Sequence, residues 1–255
     1  MTRTSWETVL HPFVRKLRFG ARLTAEDEEA LSSLTKVVRC VHAKGDIVLE
    51  GDAPRSIALV LDGWAYSYRE LENGRRQIIS VLLPGDLTEP FGALPTFMAH
   101  SLGALTPVTF AQVSPDAIRA AARSSPTIEE ALWWDLLAFM TIEREHVVSL
   151  GRRSAVERLG HFFCELQLRL SLIGLAEDGT FDFPVTQTNL GDILGLSSVH
   201  VNRSIQYLRA RGLVSLRAGR LIIHDVEELR AASYFDPAFL KTSEAPVGDR
   251  HGAGF

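Results

Sequence analysis

Two periods of hydrophobic spacing run through the chain, and each predicts a different kind of element. From Val37 to about Val113 apolar residues alternate with polar ones or gather in short β-branched and aromatic runs: VVRCVHAKGDIVLEGD, SIALVLDGWAYSYREL, RRQIISVLLPGD and VTFAQV. Successive side chains of a strand point to opposite faces, so this spacing predicts half-buried strands. Glycine turns separate the runs at Lys44-Gly45-Asp46, Glu50-Gly51-Asp52, Asp62-Gly63, Glu72-Asn73-Gly74 and Pro84-Gly85-Asp86. Short strands punctuated this closely predict a compact antiparallel β-roll or barrel, and Asn73-Gly74 predicts a type I′ hairpin turn.

On both sides of this region the spacing is helical. Residues 5 to 39 read as helical, with Thr24 capping the acidic start Ala25-Glu26-Asp27-Glu28-Glu29 of a short helix through Leu34. Past Val113, Ser114 to Ala122 forms a short helix, Ser125-Pro126 restarts the chain, and Ile128 to Leu150 runs without Gly or Pro. At 1.5 Å per residue this helix reaches about 35 Å, more than a small domain needs. Trp133, Leu136, Met140, Val147 and Leu150 fit the a and d positions of a heptad, with Glu143 in the remaining one. That frame predicts the seam of a two-helix dimer. The alternative is a helix lying on its own subunit, because Trp134, Leu137 and Phe139 make a second apolar face. Gly151 to Ser154 reads as a hinge, and Ala155 to Leu172 as a helix with Phe162, Phe163, Leu166 and Leu170 on its packing stripe.

Thr186 to Arg211, TQTNLGDILGLSSVHVNRSIQYLRAR, carries the most specific pattern. Leu190, Ile193 and Leu194 give one apolar stripe behind an N-cap at Thr186. Gly195-Leu196-Ser197 interrupts it, and Val201, Ile205 and Leu208 form a stripe on a second helix capped by Ser197. The opposite face of that helix carries Val199, Arg203 and Gln206, flanked by His200 and Asn202. Arginine can take both acceptors of a guanine edge, Asn or Gln can pair with adenine, and a small apolar group can meet a thymine methyl. Two helices about a glycine turn are the geometry of a helix-turn-helix, whose second helix enters the major groove. Leu213 to Ile223 adds two short strands around Arg217-Ala218-Gly219-Arg220, a wing. Thr186, Gln187, Ser197, Ser198, Arg209, Arg217 and Arg220 complete the DNA-contacting set.

Charge sharpens this reading. The whole chain of 255 residues carries a formal charge of −4, yet Ser197 to Arg220 holds five arginines (Arg203, Arg209, Arg211, Arg217, Arg220) and no acid. Phosphate is attracted to that segment and not to the surface at large. With 46% apolar residues the chain can bury the core of two domains. Cys40 and Cys164 lack metal-ligand spacing and read as buried small apolar side chains, so neither a zinc site nor an iron–sulfur cluster is expected. No stretch reaches the ~20 apolar residues of a membrane span, so the expected location is the cytoplasm. A nucleophile elbow, a phosphate loop and paired metal ligands are absent from the sequence, which argues against an enzyme. His100, His146, His161, His200 and His224 are scattered, and Glu143-Arg144-Glu145-His146 reads as a solvated helix face.

The order of β-roll, long helix and winged helix-turn-helix resembles the cyclic-AMP receptor and Fnr superfamily of bacterial transcription regulators. The resemblance rests on KGDIVLEGD, LVLDGWAYSY, the hairpin, LLPGD, RSAVERLGHFF and LGDILGLSSVHVNRSIQYLRARGLV, and spans about residue 20 to 236. It implies an α+β fold: N-terminal helices and a β-roll sensor over 1–125, a dimerisation helix and hinge over 126–152, and a DNA-binding domain over 153–236. A disordered tail is expected over 237–255. The implied partners are a palindromic DNA operator, a second copy of the chain and, for an activator, RNA polymerase. Arg203 stands where the family commonly has a guanine-reading arginine, while Ser198 and Val199 replace the Arg-Glu pair of the cyclic-AMP receptor. A sensor module governing a partner protein is the alternative function, but the C-terminal half then lacks a catalytic or membrane segment.

The resemblance also implies where an effector binds, and there the sequence departs from the family. Aligned from Gly85-Asp86, Glu89-Pro90 occupies the ribose-binding Gly-Glu positions and His100-Ser101 the phosphate-binding Arg-Ser positions. Glu143-Arg144 stands in place of the Thr-Ser that faces the base. Without the anchoring arginine the site is expected not to take cyclic AMP in the family's way, unless Arg144 supplies the missing charge. No cofactor is implied, and the effector is left open.

Overall fold

The computed structural model describes residues 11–89, 91 and 93–240. Pro90, residues 5–10 of the expected N-terminal helix and the tail from 241 lie outside the described residues. The N-terminal region has two short helices, α1 (Pro12–Leu17) and α2 (Ala25–Ser32), the second starting after Thr24 as expected and followed by a 3-10 turn (Ser33–Thr35). Thr24 and Asp27 cap α2 reciprocally, each side chain bonding the other's backbone N–H. Gly20 sits in the link because a Cβ there would stand 2.7 Å from Cβ of Trp134.

Seven strands build the roll: β1 (Val38–Val41), β2 (Asp46–Val48), β3 (Ile57–Asp62), β4 (Ala65–Glu70), β5 (Arg76–Leu82), β6 (Ser101–Ala104) and β7 (Val108–Val113). They pair antiparallel in two sheets, ordered β1-β7-β3 and β2-β6-β4-β5. Strand β3 explains the period of two. Ala58 and Val60 face the roll interior with Leu102 and Phe110, while Ile57, Leu59 and Leu61 face the helices. The sequence pattern misses β6, since Ser-Leu-Gly-Ala lacks β-branched residues; its pairing on both sides, with β2 and β4, holds it in the sheet. The hairpin differs from the type I′ expectation. Only Gly74 has a positive φ, of 78°, and the Asn73 side chain accepts the Arg75 N–H at 3.1 Å. The loop is therefore an ordinary turn closed by a left-handed glycine. Cys164 is buried, but Cys40 is exposed, contrary to expectation, because β1 is an edge strand.

The helical half follows: α3 (Pro115–Ser124), α4 (Pro126–Arg152), α5 (Ala155–Leu172), β8 (Thr180–Asp182), α6 (Gln187–Leu194), α7 (Ser198–Ala210), β9 (Val214–Arg217), β10 (Arg220–Ile223) and α8 (Val226–Ser233). Helix α4 has 27 residues and ends at a break where Ser154 and Glu157 form the capping box of α5. Pro237–Leu240, assigned to the tail from sequence, forms a 3-10 turn. Strand β8 joins the wing in a sheet ordered β8-β10-β9. Gly160 lets α8 approach α5, since a Cβ there would lie 2.9 Å from Cβ of Ser233. The core of this half, including Phe163, Leu190, Ile205 and Leu229, is continuous with Trp64, Tyr66 and Ile78 of the roll.

Candidate DNA interface and sensor cavity

Helix α6 starts at Thr186, whose hydroxyl accepts the Asn189 N–H at 3.1 Å, and stops at Gly195, left-handed at φ 62°. Ser197 then caps α7. Val201, Ser204, Ile205 and Leu208 turn inward, which leaves Val199, His200, Asn202, Arg203 and Gln206 exposed on the opposite face. Tyr207, which sequence reasoning passed over, is 51% exposed, one turn beyond Arg203. Thr186, Gln187, Ser197 and Ser198 are exposed at the two helix starts.

The wing turn has positive φ at both Ala218 and Gly219, as a two-residue type I′ turn requires, and it exposes Arg217 and Arg220. The five arginines are not equivalent. Arg211 pairs with Glu228 at 2.6 Å, Arg220 lies 3.3 Å from Asp182, and Arg209 donates to the Leu216 carbonyl, tying α7 to the wing. Arg203 and Arg217 form no ion pair with the described residues.

On α4 the exposed apolar stripe is Trp133, Leu137, Met140 and Val147, the last 69% exposed. Of the expected seam, Glu143 and Leu150 turn toward their own subunit, since Leu150 meets Gly195 and Glu143 lines a cavity, while Leu136 is half-buried. A straight helix drifts against a strict heptad, so the stripe shifts from Leu136 to Leu137. Trp134 and Phe139 do pack on the roll side, so the helix serves its own subunit and still exposes a second face. Glu143-Arg144-Glu145-His146 is not a solvated face. Only Arg144 is exposed; Glu145 binds Arg153 at 2.8 Å, and burial holds the His146 imidazole below its ordinary pKa.

The cavity, of about 200 Å³, lies between the roll and α4. Glu89, His100 and Glu143 line it together with Ser67, Ser80 and Thr88. Ser101 and Arg144 do not line it: Ser101 sits in β6 and accepts the Glu50 N–H at 2.9 Å. Burial pushes Glu89 and Glu143 up to about 7 and moves His100 down. The 3.9 Å between His100 Nε2 and Glu89 Oε1 is too long for a hydrogen bond, and the imidazole is uncharged at neutral pH, so the two are not an ion pair.

Beside the cavity is a charge network that periodicity could not reveal, because its members are far apart in sequence. Lys16 of α1 lies 2.7 Å from both Asp86, in the turn after β5, and Asp135 of α4. Arg169 of α5 reaches Asp86 at 2.7 Å and Glu165 at 2.8 Å, and donates to the Val81 carbonyl at 2.8 Å. Burial opposes the charge on Asp86, but Lys16 and Arg169 outweigh it and hold the carboxyl below its usual range. Asp135 and Glu165 go the other way, raised by burial.

Comparison with known proteins agrees with both halves of this geometry. Residues 157–232 match the model of the Crp-like helix-turn-helix domain and residues 39–125 that of the cyclic nucleotide-binding domain. The nitrogen fixation regulation protein FixK of Bradyrhizobium diazoefficiens is 30% identical over 222 residues, 85% of this chain and 92% of FixK. The transcriptional activator protein FnrL of Cereibacter sphaeroides is 26% identical over 88% of this chain and 92% of its own. The solved structure of FixK2 from Bradyrhizobium japonicum superposes with a TM-score of 0.67 at 24% identity, covering 76% of this chain and 96% of that one.

Proposed function

Because the chain belongs to the Crp/Fnr family of DNA-binding transcription regulators, we propose that it works as a homodimer that reads a palindromic operator in double-stranded DNA. The observation that carries this is the outward face of α7, where Val199, Arg203 and Gln206 stand exposed beside a wing with Arg217 at its turn. Arg203 reads a guanine, Gln206 and Asn202 neighbouring bases, and Val199 a thymine methyl. Thr186, Gln187, Ser197, Ser198, His200 and Arg217 set the register on the phosphates. Arg220 and Arg209 contribute less, being engaged by Asp182 and Leu216.

In this reading the segment to residue 125 senses, 126–152 pairs the two copies through Trp133, Leu137, Met140 and Val147, and 153–236 binds DNA. The working place is the cytoplasm, and RNA polymerase is the second partner where the operator activates a promoter. Cyclic AMP is not the effector, since Glu89, His100 and Glu143 offer no fixed cation to a cyclic phosphate and Arg144 lies outside the cavity. Immunoprecipitation of DNA bound in cells, followed by footprinting of the recovered fragments, tests the reading. A shared two-fold symmetric sequence is expected, and recovery of fragments without one would count against it.

A further inference from the structure

The cavity between roll and long helix has the opposite electrostatics to a phosphate site. Glu89 Oε1 and Glu143 Oε1 are both shielded from water and neither has a hydrogen-bond partner. A carboxylate buried that way is costly unless a donor or a cation meets it. Among the described residues the neighbouring cations are already engaged. Lys16 is taken by Asp86 and Asp135, and Arg169 by Asp86 and Glu165, so these two cations already serve three acids before Glu143 is counted.

The walls decide between kinds of cation. Ser80, Leu82, Phe139 and Glu143 also line a second cavity, whose wall combines Leu87, Trp134 and Ile173 with the mutually paired Lys16, Asp86, Asp135 and Arg169. Glu143 therefore stands where the two cavities meet, and Trp134, Phe139 and Ile173 offer an apolar surface beyond it. The described residues bring together no group of three or more His, Cys, Asp or Glu able to hold a metal ion. Carboxylates without a metal cage, next to Leu, Phe and Trp, fit an organic cation.

We propose that this cavity is a receptor for a small protonated amine with an apolar arm, its ammonium paired with Glu89 and Glu143 and its arm lying along Phe139 toward Trp134. The proposal rests on reading the cavity as the effector site of the regulator and reverses the charge of the ligand expected there. It also supplies a route to the DNA-binding half. Glu143 feels Glu165 and Arg169 of α5, so a cation at Glu143 alters the field at the helix that carries Arg169. On the roll side the group facing Glu89 is His100, which burial keeps neutral. Above pH 7 both carboxyls ionise, and below it they take up protons, so the amine must bind more weakly in acid.

The test uses the 255-residue chain, three probes of one shape (benzylammonium, benzyl alcohol and benzoate) and cyclic AMP as a competitor. Binding is read by tryptophan fluorescence and thermal shift at pH 8 and pH 5.5. Saturable binding of benzylammonium at pH 8 is expected, weakened about tenfold or more at pH 5.5 and in Glu143→Gln and Glu89→Gln, with no saturation by the other two. Both variants must keep the far-ultraviolet spectrum and a cooperative thermal transition, so that the loss is not misfolding. Preference for benzoate or cyclic AMP over benzylammonium would overturn the proposal. So would equal binding by both variants, or no saturable binding of benzylammonium. Operator affinity in the same samples separates the two readings. Amine binding without a change in DNA affinity supports the receptor and removes only its role as effector site, whereas failure of the untreated protein to bind any operator strikes the regulator reading alone.

Discussion

Arg76, at the turn end of the β4–β5 hairpin, and Asp192, on the first helix of the helix-turn-helix, are joined through one carboxylate oxygen that accepts from Nε at 3.0 Å and Nη2 at 2.7 Å. The same guanidinium donates to Asn189 Oδ1 and to the Tyr66 hydroxyl, both at 3.0 Å, and lies 5.3 Å from the Tyr66 ring centre. The roll thus grips α6 and leaves α7 facing outward. Arg76→Ala removes charge-assisted bonds worth about 1.5–3 kcal/mol each before screening, and both partners are about a quarter exposed, so a net loss near ~1–2 kcal/mol is expected. Amide exchange in α6 should quicken, and the exchanged pair Arg76→Asp with Asp192→Arg should restore it. Unaltered exchange in Arg76→Ala would show that the clasp does not hold the domain.

A second junction is buried more deeply. Asp86 neutralises Lys16 and Arg169 together, so Asp86→Ala strands two cations where the paired side chains are 14% exposed or less. Breaking a buried pair from one side costs about 3–5 kcal/mol, which urea unfolding would register as a lower midpoint. The folded pKa of Asp86 is depressed, so its stabilising contribution is present above the unfolded value of 3.8 and is lost as the pH falls through the folded value. The variant should lack this acid-side loss. A midpoint equal to that of the parent would mean the network contributes nothing to the docking of α5.

Which parts of this architecture are legible in the sequence follows from the range of the forces involved. Caps, turns and stripes are local, so Thr24, Ser154, Thr186, Ser197 and Gly195 mark helix ends correctly, and Leu190 to Leu208 identify the two helices of the DNA-binding motif. The placement of Glu89 and His100 together needs the strand order, yet a gapless alignment brings both to one cavity with Glu143. What stays hidden depends on contacts between distant residues. Ser101 is drawn into β6 by pairing, Glu143 turns inward because α4 packs on its own roll, and Lys16 finds Asp86 across 70 positions. Arg209 and Arg220 look equal to Arg203 in a charge count and differ only once their neighbours are known.

The exposed stripe on α4 yields a prediction about assembly. Leu137 and Val147 are 59% and 69% exposed on the same helix face, which is unfavourable for a lone subunit and natural at a two-fold seam. Leu137→Glu with Val147→Glu should give monomers in sedimentation. A monomer reads one half-site and loses the gain from joint binding to sites roughly 34–36 Å apart, so operator affinity should fall about a hundredfold or more. An unchanged dimer would place the interface on another surface.

Arg203 and Arg217 separate base reading from phosphate contact. Both are exposed and without an ion-pair partner among the described residues, but Arg203 projects from the middle of α7 and Arg217 from the wing turn. A bidentate contact to a guanine edge discriminates by about 1–3 kcal/mol, so Arg203→Ala should lower affinity for the matched operator and leave a mismatched duplex nearly unaffected. Arg217→Ala should instead weaken all duplexes alike and reduce the salt slope of binding by about one. Asp182→Asn adds a control in the opposite direction, since it releases Arg220 from its partner at 3.3 Å and should tighten binding to every sequence modestly at low salt. Titrating the three variants against matched and single-mismatch duplexes at two salt concentrations resolves the roles. If Arg203→Ala weakens every duplex by the same factor, Arg203 contacts the backbone and the reading face of α7 must lie with Gln206 and Asn202.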